Sequence, residues 1–203
     1  MFNPHILSQQ GIDRSDAIKH ITEGMPELVR QAEGAVLVKN SGLLPLPNGC
    51  RVSSFSRIQY DYFCVGYGSV EKAKQNSDVA IITIGRSSGE DRDAHLEKGG
   101  YLLADEEINA FNCVTEVFDK VIVLLNVGGL IGMSWASKYG DKISAVMCAW
   151  QGGMESGNAI ADLLSGKVNQ SGRLYDTVAH TYQDCQSSNN FGNKDFDNYE
   201  EDI

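Results

Sequence analysis

Three short runs of apolar, often β-branched residues place the strongest constraint on how this chain folds. They are DVAIITIG (78–85), KVIVLLNVG (120–128) and ISAVMCAW (143–150). Successive side chains of a strand point to opposite faces of its sheet, so a strand that is apolar throughout must be covered on both faces. The three runs therefore predict central strands of a sheet that carries helices on each side.

Helical stretches lie between and around these runs. Residues 105–118 repeat apolar side chains every three or four positions and begin with three acidic residues, which the helix dipole favours there. Residues 153–165 form another helix, and Gly166 is expected to end it in a left-handed cap. Residues 13–33 show the same periodicity, and Pro26 suits the first turn of a second helical piece.

Two further strands are predicted at AVLVK (35–39) and VSSF (52–55). Because strands alternate with helices, we expect an α/β fold, a three-layer sandwich with a mostly parallel sheet of about five to six strands and helices on both faces. Residues 1–182 are assigned to this sandwich domain. Residues 183–203, rich in Asn, Asp, Ser and Gln, are assigned to an irregular tail that leads toward a missing following domain.

The charge balance limits the classes of partner. The formal net charge is −10 at pH 7 and the pI is about 4.8, which repels phosphate backbones and anionic lipids. We therefore expect no nucleic acid and no membrane as a partner, whereas a neutral sugar is compatible with this charge. No basic region followed by an apolar run opens the sequence, and the apolar runs are too short to span a bilayer, which predicts a cytoplasmic protein.

No cofactor or metal is expected from the motifs. The five cysteines form no CxxC pair and the four histidines lie far apart, so no metal site is predicted and the thiols are expected to be reduced and partly buried. GxGxxG and GxxxxGK[ST] are absent, which weakens dinucleotide and P-loop interpretations. A flavodoxin-like nucleotide binder would follow from the fold class alone.

The loop after the first central run is the most unusual segment of the chain. Ligands of open parallel sheets gather where the carboxyl ends of strands lead into loops. GRSSGEDRDAHLEKGGYLLADEE (85–107) places six ionisable side chains within eight positions: Glu90, Asp91, Arg92, Asp93, His95 and Glu97. The segment either presents a carboxylate to a substrate or is a solvated charged loop, and physical chemistry alone favours the solvated loop.

Two other segments allow a chemical interpretation. GRSSG (85–89) matches the G-x-S-x-G nucleophile elbow with Ser87 as nucleophile, but a charged loop follows where that motif requires a sharp turn into a helix. YDYFCVGYGSV (60–70) combines aromatic rings with small polar groups, which suits stacking on a sugar. A glycine turn packed by core tyrosines explains this second segment at least as well.

Five segments resemble family 3 glycoside hydrolases in the same order along the chain. They are GAVLVKNSGLLPLP (34–47), GRSSGEDRDAHLEKGGYLLADEE (85–107), VIVLLNVGGLIGMSWASKY (121–139), WQGGMESGNAIADLLSGKVNQSGRL (150–174) and SSNNFG (187–192). The resemblance is greatest to bacterial β-glucosidases in which the sandwich domain precedes a (β/α)₈ barrel.

The resemblance implies a retaining β-glucosidase that acts on β-glucosides or oligosaccharides. A barrel aspartate would be the nucleophile, and Glu90, in SGEDRD, stands where such enzymes carry the general acid/base. Glu97 is the fallback for this role. Arg92 would orient the loop or a carboxylate, and Tyr67 and Ser69, in a GYGSV turn similar to the family's Gly-Ser-Gly loop, would lie near the sugar.

Three departures from the family pattern modify this expectation. A chain of 203 residues cannot hold the sandwich and a barrel of about 250 residues, so we expect an excised domain or fragment that is inactive without the barrel nucleophile. Ser69 is followed within nine residues by DVAII, which suggests a deleted helix and perhaps a deleted strand. The chain stops at NYEEDI, where relatives continue. A non-catalytic carbohydrate-binding or assembly module therefore stays open as an alternative.

Overall fold

The computed structural model describes residues 32–56, 67–86, 96–153 and 155–184. The secondary-structure elements, in chain order, are β1 (Val36–Asn40), β2 (Val52–Ser56), α1 (Tyr67–Asn76), β3 (Val79–Gly85), α2 (Asp105–Val117), β4 (Val121–Asn126), α3 (Ser134–Lys138), β5 (Ile143–Cys148) and α4 (Ser156–Ser165). A single 3₁₀ turn, Tyr182–Asp184, follows α4 in the part of the chain described.

The five strands form one sheet in the order β1-β5-β4-β3-β2. Strands β2 to β5 are parallel neighbours, and β1 pairs antiparallel with β5. The predicted α/β fold with a mostly parallel sheet of five to six strands is thereby confirmed. The three central runs are β3, β4 and β5, and β4 is buried from Val121 to Leu125 as the sequence requires.

Helices cover both faces of the sheet, and each face has its own apolar core. The first core packs α1, α2 and α3 on alternate strand residues such as Ile82 and Val123. The second packs α4 and residues 32–35 on the intervening residues, such as Ile81 and Ile122. Since β2 to β5 follow one another across the sheet, right-handed crossovers place their three connecting helices on one face.

Strand β1 is one of the two edge strands of the described sheet, and it differs from the central strands. Val36 is buried, whereas Val38 is exposed and the pairing with β5 is irregular between Leu37 and Lys39. The Lys39 Nζ donates to the carbonyl of Gly140. A charged lysine and an irregular register limit further pairing at a sheet edge.

Helices α1 and α3 were not predicted as separate elements, because α3 has only five residues and the glycine and serine at the start of α1 resemble a turn. The helix predicted at 13–33 lies outside the described residues, except that 32–34 are helical. Gly166 has φ of 75° and caps α4, as expected from the sequence. No helix in the described ranges is long and apolar enough to cross a membrane.

An aromatic cluster holds α2 against α3. Phe111 is fully buried, and its ring lies 5.1 Å from that of Trp135 and 5.1 Å from that of Tyr139, which stacks on it. The Tyr139 hydroxyl donates to Asn112 Oδ1 at 2.7 Å. These contacts hold together α2, which follows β3, and α3, which follows β4.

We expect Phe111→Ala to lower the free energy of unfolding by about 3–5 kcal/mol, because it removes a buried ring and leaves a cavity. Urea unfolding followed by circular dichroism measures the loss. Val38→Ala, at an exposed strand position, is the matched control and should change stability little. A loss for Phe111→Ala no larger than that of the control would show that the cluster is not a core element.

The described cysteines are free thiols. Cys113 and Cys148 are buried and Cys50 is half-buried. Burial raises the pKa of Cys148 from 9.0 to about 11, because the charged thiolate loses its hydration inside the protein.

The raised pKa of Cys148 predicts a loss of stability in alkali. Between pH 9.0 and about 11 the unfolded chain loses this proton first, so the folded state is stabilised below that range and less so within it. The difference in unfolding free energy between wild type and Cys148→Ala should therefore shrink as the pH rises through this range. A pH-independent difference, measured by urea unfolding, would contradict the assignment.

Candidate functional site at the carboxyl edge of the sheet

The carboxyl ends of β3, β4 and β5 are tied together by hydrogen bonds. The backbone N–H of Arg86, after β3, donates to Asn126 O at 3.1 Å. Gln151 Nε2, after β5, reaches across to Arg86 O at 2.7 Å. The root of the loop that follows β3 is therefore fixed on both sides. This edge is where an open parallel sheet binds its ligands.

The Arg86 side chain makes the densest set of contacts at this edge. Nε donates to Gly100 O at 2.8 Å, Nη1 to Gly85 O at 2.8 Å, and Nη2 to Leu102 O at 3.2 Å. Nη1 and Nη2 also donate to the two carboxylate oxygens of Glu107, at 2.5 and 2.7 Å. A guanidinium has five N–H donors, so every donor of Arg86 has a partner.

Glu107 is held as firmly as its partner. It lies in the first turn of α2, where the helix dipole favours a carboxylate, and its Oε2 accepts the N–H of Ala104 at 2.8 Å. The side chain of Glu107 is 7% exposed and that of Arg86 is 12% exposed. A two-pronged ion pair shielded from water to this extent is rigid, and removing one partner leaves a buried charge uncompensated.

The structure describes the return of the loop from residue 96. Lys98 and Leu102 form a short parallel bridge, and the N–H of Gly99 donates to Leu102 O at 2.9 Å. The N–H of Gly132 donates to Tyr101 O at 2.8 Å, which attaches this segment to the connection after β4. The loop thus leaves and returns through a hydrogen-bonded base.

An aromatic pair lies farther along the same edge. Trp150, after β5, has φ of 55°, and its Nε1 donates to Gly34 O at 3.1 Å. The ring of Tyr175 lies 6.1 Å from that of Trp150, and Tyr175 is 74% exposed. Exposed aromatic faces of this kind suit stacking on a sugar ring or packing against another domain.

A cavity of about 420 Å³ lies beside the loop base, between α2 and α3. Leu102, Leu103, Ile108 and Trp135 contribute to its lining, and none of the described residues that line it carries a carboxylate. These residues therefore supply no carboxylate for acid/base chemistry. Among the described residues there is also no cluster of His, Cys, Asp or Glu that could hold a metal ion.

The predicted site residues fall into two groups. Glu90, Arg92 and Ser87 lie outside the described residues. Tyr67 and Ser69 lie in the first turn of α1, which joins β2 to β3 and therefore starts at the same edge as the loop base. The fold thus places the start of α1 and the root of the Glu90 segment at one edge.

The prediction of a turn at GYGSV is wrong from Tyr67 onward, where a helix of ten residues begins. Residues 71–75, EKAKQ, are good helix formers, and a helix tolerates Gly68 and Ser69 in its first turn. The stretch after Ser69, interpreted from sequence as shortened by a deleted helix and perhaps a deleted strand, belongs to α1, which connects β2 to β3. Ser69 is exposed there.

Sequence reasoning missed Arg86, Glu107 and Gln151. A signal for the first two was present, since an arginine follows the strand directly and an acidic triplet opens the next helix.

Glu97, the fallback acid/base, is exposed, and its carbonyl accepts the N–H groups of Gly100 and Leu102.

Comparison with known proteins identifies the family. Residues 65–203 match the glycosyl hydrolase family 3 C-terminal domain. The chain belongs to glycosyl hydrolase family 3. A beta-glucosidase of Ruminococcus albus is 33% identical to it over 234 residues, which cover 85% of this chain and 24% of that protein. Beta-glucosidase A of Butyrivibrio fibrisolvens is 39% identical over 63% of the chain and 18% of its own length.

Solved structures of family 3 proteins agree with this fold. A beta-glucosidase from Paenibacillus barengoltzii superposes with a TM-score of 0.77 at 33% identity, over 82% of this chain and 25% of that one. Beta-glucosidase 3B of Thermotoga neapolitana, in complex with glucose, gives a TM-score of 0.77 at 24% identity over 89% of this chain and 33% of that one. This family 3 chain therefore spans between 18% and 33% of the length of these relatives.

We expect Glu107→Gln to lower the free energy of unfolding by about 3 kcal/mol, because it leaves Arg86 without its counter-charge in a site shielded from water. Asp78→Asn is the matched control, since Arg51 and Asp78 also form an Arg–carboxylate pair, with side chains 60% and 48% exposed. Urea unfolding should show a much smaller change for the control. Equal losses would show that the burial of the Arg86–Glu107 pair does not matter.

Proposed function

We propose that this chain is the sandwich domain of a retaining β-glucosidase, which hydrolyses terminal β-D-glucosyl residues, and that Glu90 is its general acid/base. The observation that carries the proposal is the match to family 3 over residues 65–203, together with relatives that are beta-glucosidases. The segment that contains Glu90 follows the carboxyl end of β3, and α1 starts at the same edge of the sheet.

The proposed reaction has two steps. In the first, a carboxylate nucleophile forms a bond to the anomeric carbon while Glu90 gives its proton to the departing glycosidic oxygen. In the second, Glu90, now ionised, removes a proton from water as the water displaces the nucleophile. Retaining enzymes hold the two carboxyl groups about 5–5.5 Å apart, so Glu90 must face the domain that carries the nucleophile.

The partner is a (β/α)₈ barrel domain that supplies the nucleophile, and the substrate is a β-glucoside or oligosaccharide. Tyr67, Ser69 and Arg92 are the proposed substrate-binding residues of this chain. Residues 1–182 would form the sandwich, and residues 183–203 would lead toward a following domain. In isolation the chain is expected to be inactive, since one carboxylate alone cannot carry out both steps.

A chimera tests the role of Glu90. The chain replaces the matching segment of the Ruminococcus albus beta-glucosidase, and hydrolysis of aryl β-glucosides is measured with and without Glu90→Ala. General acid/base catalysis contributes about 10²–10⁴-fold, so kcat/KM should fall by that factor for a phenyl glucoside. A 2,4-dinitrophenyl glucoside should be affected less, because its leaving group departs without a proton.

Two further observations make this test specific. Azide, which attacks without needing a base, should restore turnover of the Glu90→Ala chimera on the dinitrophenyl substrate and yield glucosyl azide. Glu97→Ala is the matched control, because it removes another carboxylate of the same loop, and it should retain activity within a few-fold. Unchanged turnover in Glu90→Ala, or its effect appearing instead in Glu97→Ala, would overturn the assignment.

A second candidate function is a non-catalytic carbohydrate-binding or assembly module. A specific observation favours it: the 234-residue alignment covers only 85% of a 203-residue chain, so the aligned segment of the Ruminococcus albus protein contains residues that the chain lacks. An active chimera excludes this alternative. An inactive chimera in which glucose still shifts the NMR signals of Tyr67 and Ser69 would support it.

A further inference from the structure

We infer that Arg86 and Glu107 are positioning residues for the reaction, a clamp that fixes both ends of the Glu90 segment. This inference rests on the proposed function of Glu90. It concerns a different part of the molecule, namely the base from which that segment leaves and to which it returns. The Arg86–Glu107 clamp consists of these two side chains and the three carbonyl groups that Arg86 binds.

The contacts of Arg86 span the two ends of the loop. On the outgoing side its Nη1 binds Gly85 O, the last residue of β3. On the returning side Nε and Nη2 bind Gly100 O and Leu102 O, which are 14 and 16 positions farther along the chain. One side chain therefore closes the loop. Bringing the ends of a segment together removes many of the conformations open to it.

The clamp is itself anchored to rigid elements. The backbone of Arg86 is bound on one side by Asn126 O and on the other by the Gln151 side chain, which come from β4 and from the end of β5. Glu107 belongs to the first turn of α2. Three parallel strands and one helix are thus connected to the loop base through a single residue, Arg86, by its backbone and its guanidinium together.

The same contacts show why Arg86 acts through another residue and does not touch substrate. All five of its N–H donors are taken by protein groups, so none remains for a sugar. Only the planar guanidinium of arginine can make this set of hydrogen bonds. Lysine would keep the positive charge, but it has three donors on a flexible stem and cannot bind a carboxylate and three carbonyls together.

The chain contains a matched pair on the opposite edge of the sheet. Arg51 binds Asp78 through Nε at 3.3 Å and Nη2 at 3.1 Å, and this hydrogen bonding lowers the pKa of Asp78. Both residues lie at the amino ends of β2 and β3, away from the loop base. Arg51→Lys therefore makes the same chemical change without touching the clamp.

The first test compares Arg86→Lys with Arg51→Lys in the chimera. A misplacement of about 1 Å in a catalytic group can cost about 10²-fold, so kcat/KM for the phenyl glucoside should fall by about 10–100-fold in Arg86→Lys. The dinitrophenyl glucoside, which needs no proton, should stay within a few-fold. Arg51→Lys should match wild type on both substrates. A merely destabilising change would lower both substrates together.

The second test uses hydrogen exchange in the full 203-residue chain. Arg86→Lys should speed exchange at the amides of Gly99, Gly100 and Leu102, which lie at the returning end of the loop, while the amides of β4 keep their protection. Arg51→Lys should leave these amides unchanged. If Arg86→Lys fails to fold, Glu107→Gln takes its place, with the same selective loss expected on the phenyl glucoside.

The outcomes separate the two proposals. If Glu90→Ala lowers kcat/KM as expected and Arg86→Lys leaves it unchanged, the positioning role is overturned and the proposed function of Glu90 is retained. Equal losses of Arg86→Lys on both substrates also overturn the positioning role, because they indicate a structural effect. Unchanged turnover in Glu90→Ala overturns the proposed function, and the positioning role with it.

Discussion

The whole structure depends on covering a parallel sheet on both faces. Strands β3, β4 and β5 expose apolar side chains on each side, so helices must pack above and below them, and the connections must pass over the sheet. Because β2 to β5 run parallel, every connection from one of these strands to the following helix leaves from the carboxyl edge. A family 3 sandwich domain therefore has its chemically useful loops at one edge before any particular side chain is considered.

The Arg86–Glu107 pair shows how that edge becomes a defined surface. Its two charges are largely shielded from water, and desolvation makes such a pair costly unless every donor and acceptor is used. Here all the donors of Arg86 are used, and the partners come from a strand, a loop and a helix. The pair is shielded from water, and its hydrogen bonds fix the relative positions of the residues at the loop base.

Periodicity and residue type were enough to predict much of the fold. The sheet, its central strands, helices α2 and α4 and the Gly166 cap all follow from side-chain burial patterns and local backbone preferences. Helix α1 was missed because the glycine and serine at its start resemble a turn, although the five residues EKAKQ after them favour a helix. For the site, the family resemblance suggested Glu90, and charge alone could not distinguish it from its acidic neighbours.

The sequence by itself determined that this chain forms a doubly covered α/β sheet, because apolar runs and helical periodicity act locally. It also carried the family motifs, in order. Only the tertiary structure decided that Arg86 and Glu107, 21 positions apart, form one buried pair, and that Gln151, 65 positions from Arg86, fixes the same point. Such contacts depend on the order of strands β3 to β5 in the sheet, which brings residues far apart in sequence together. No local sequence pattern encodes which of these residues will meet.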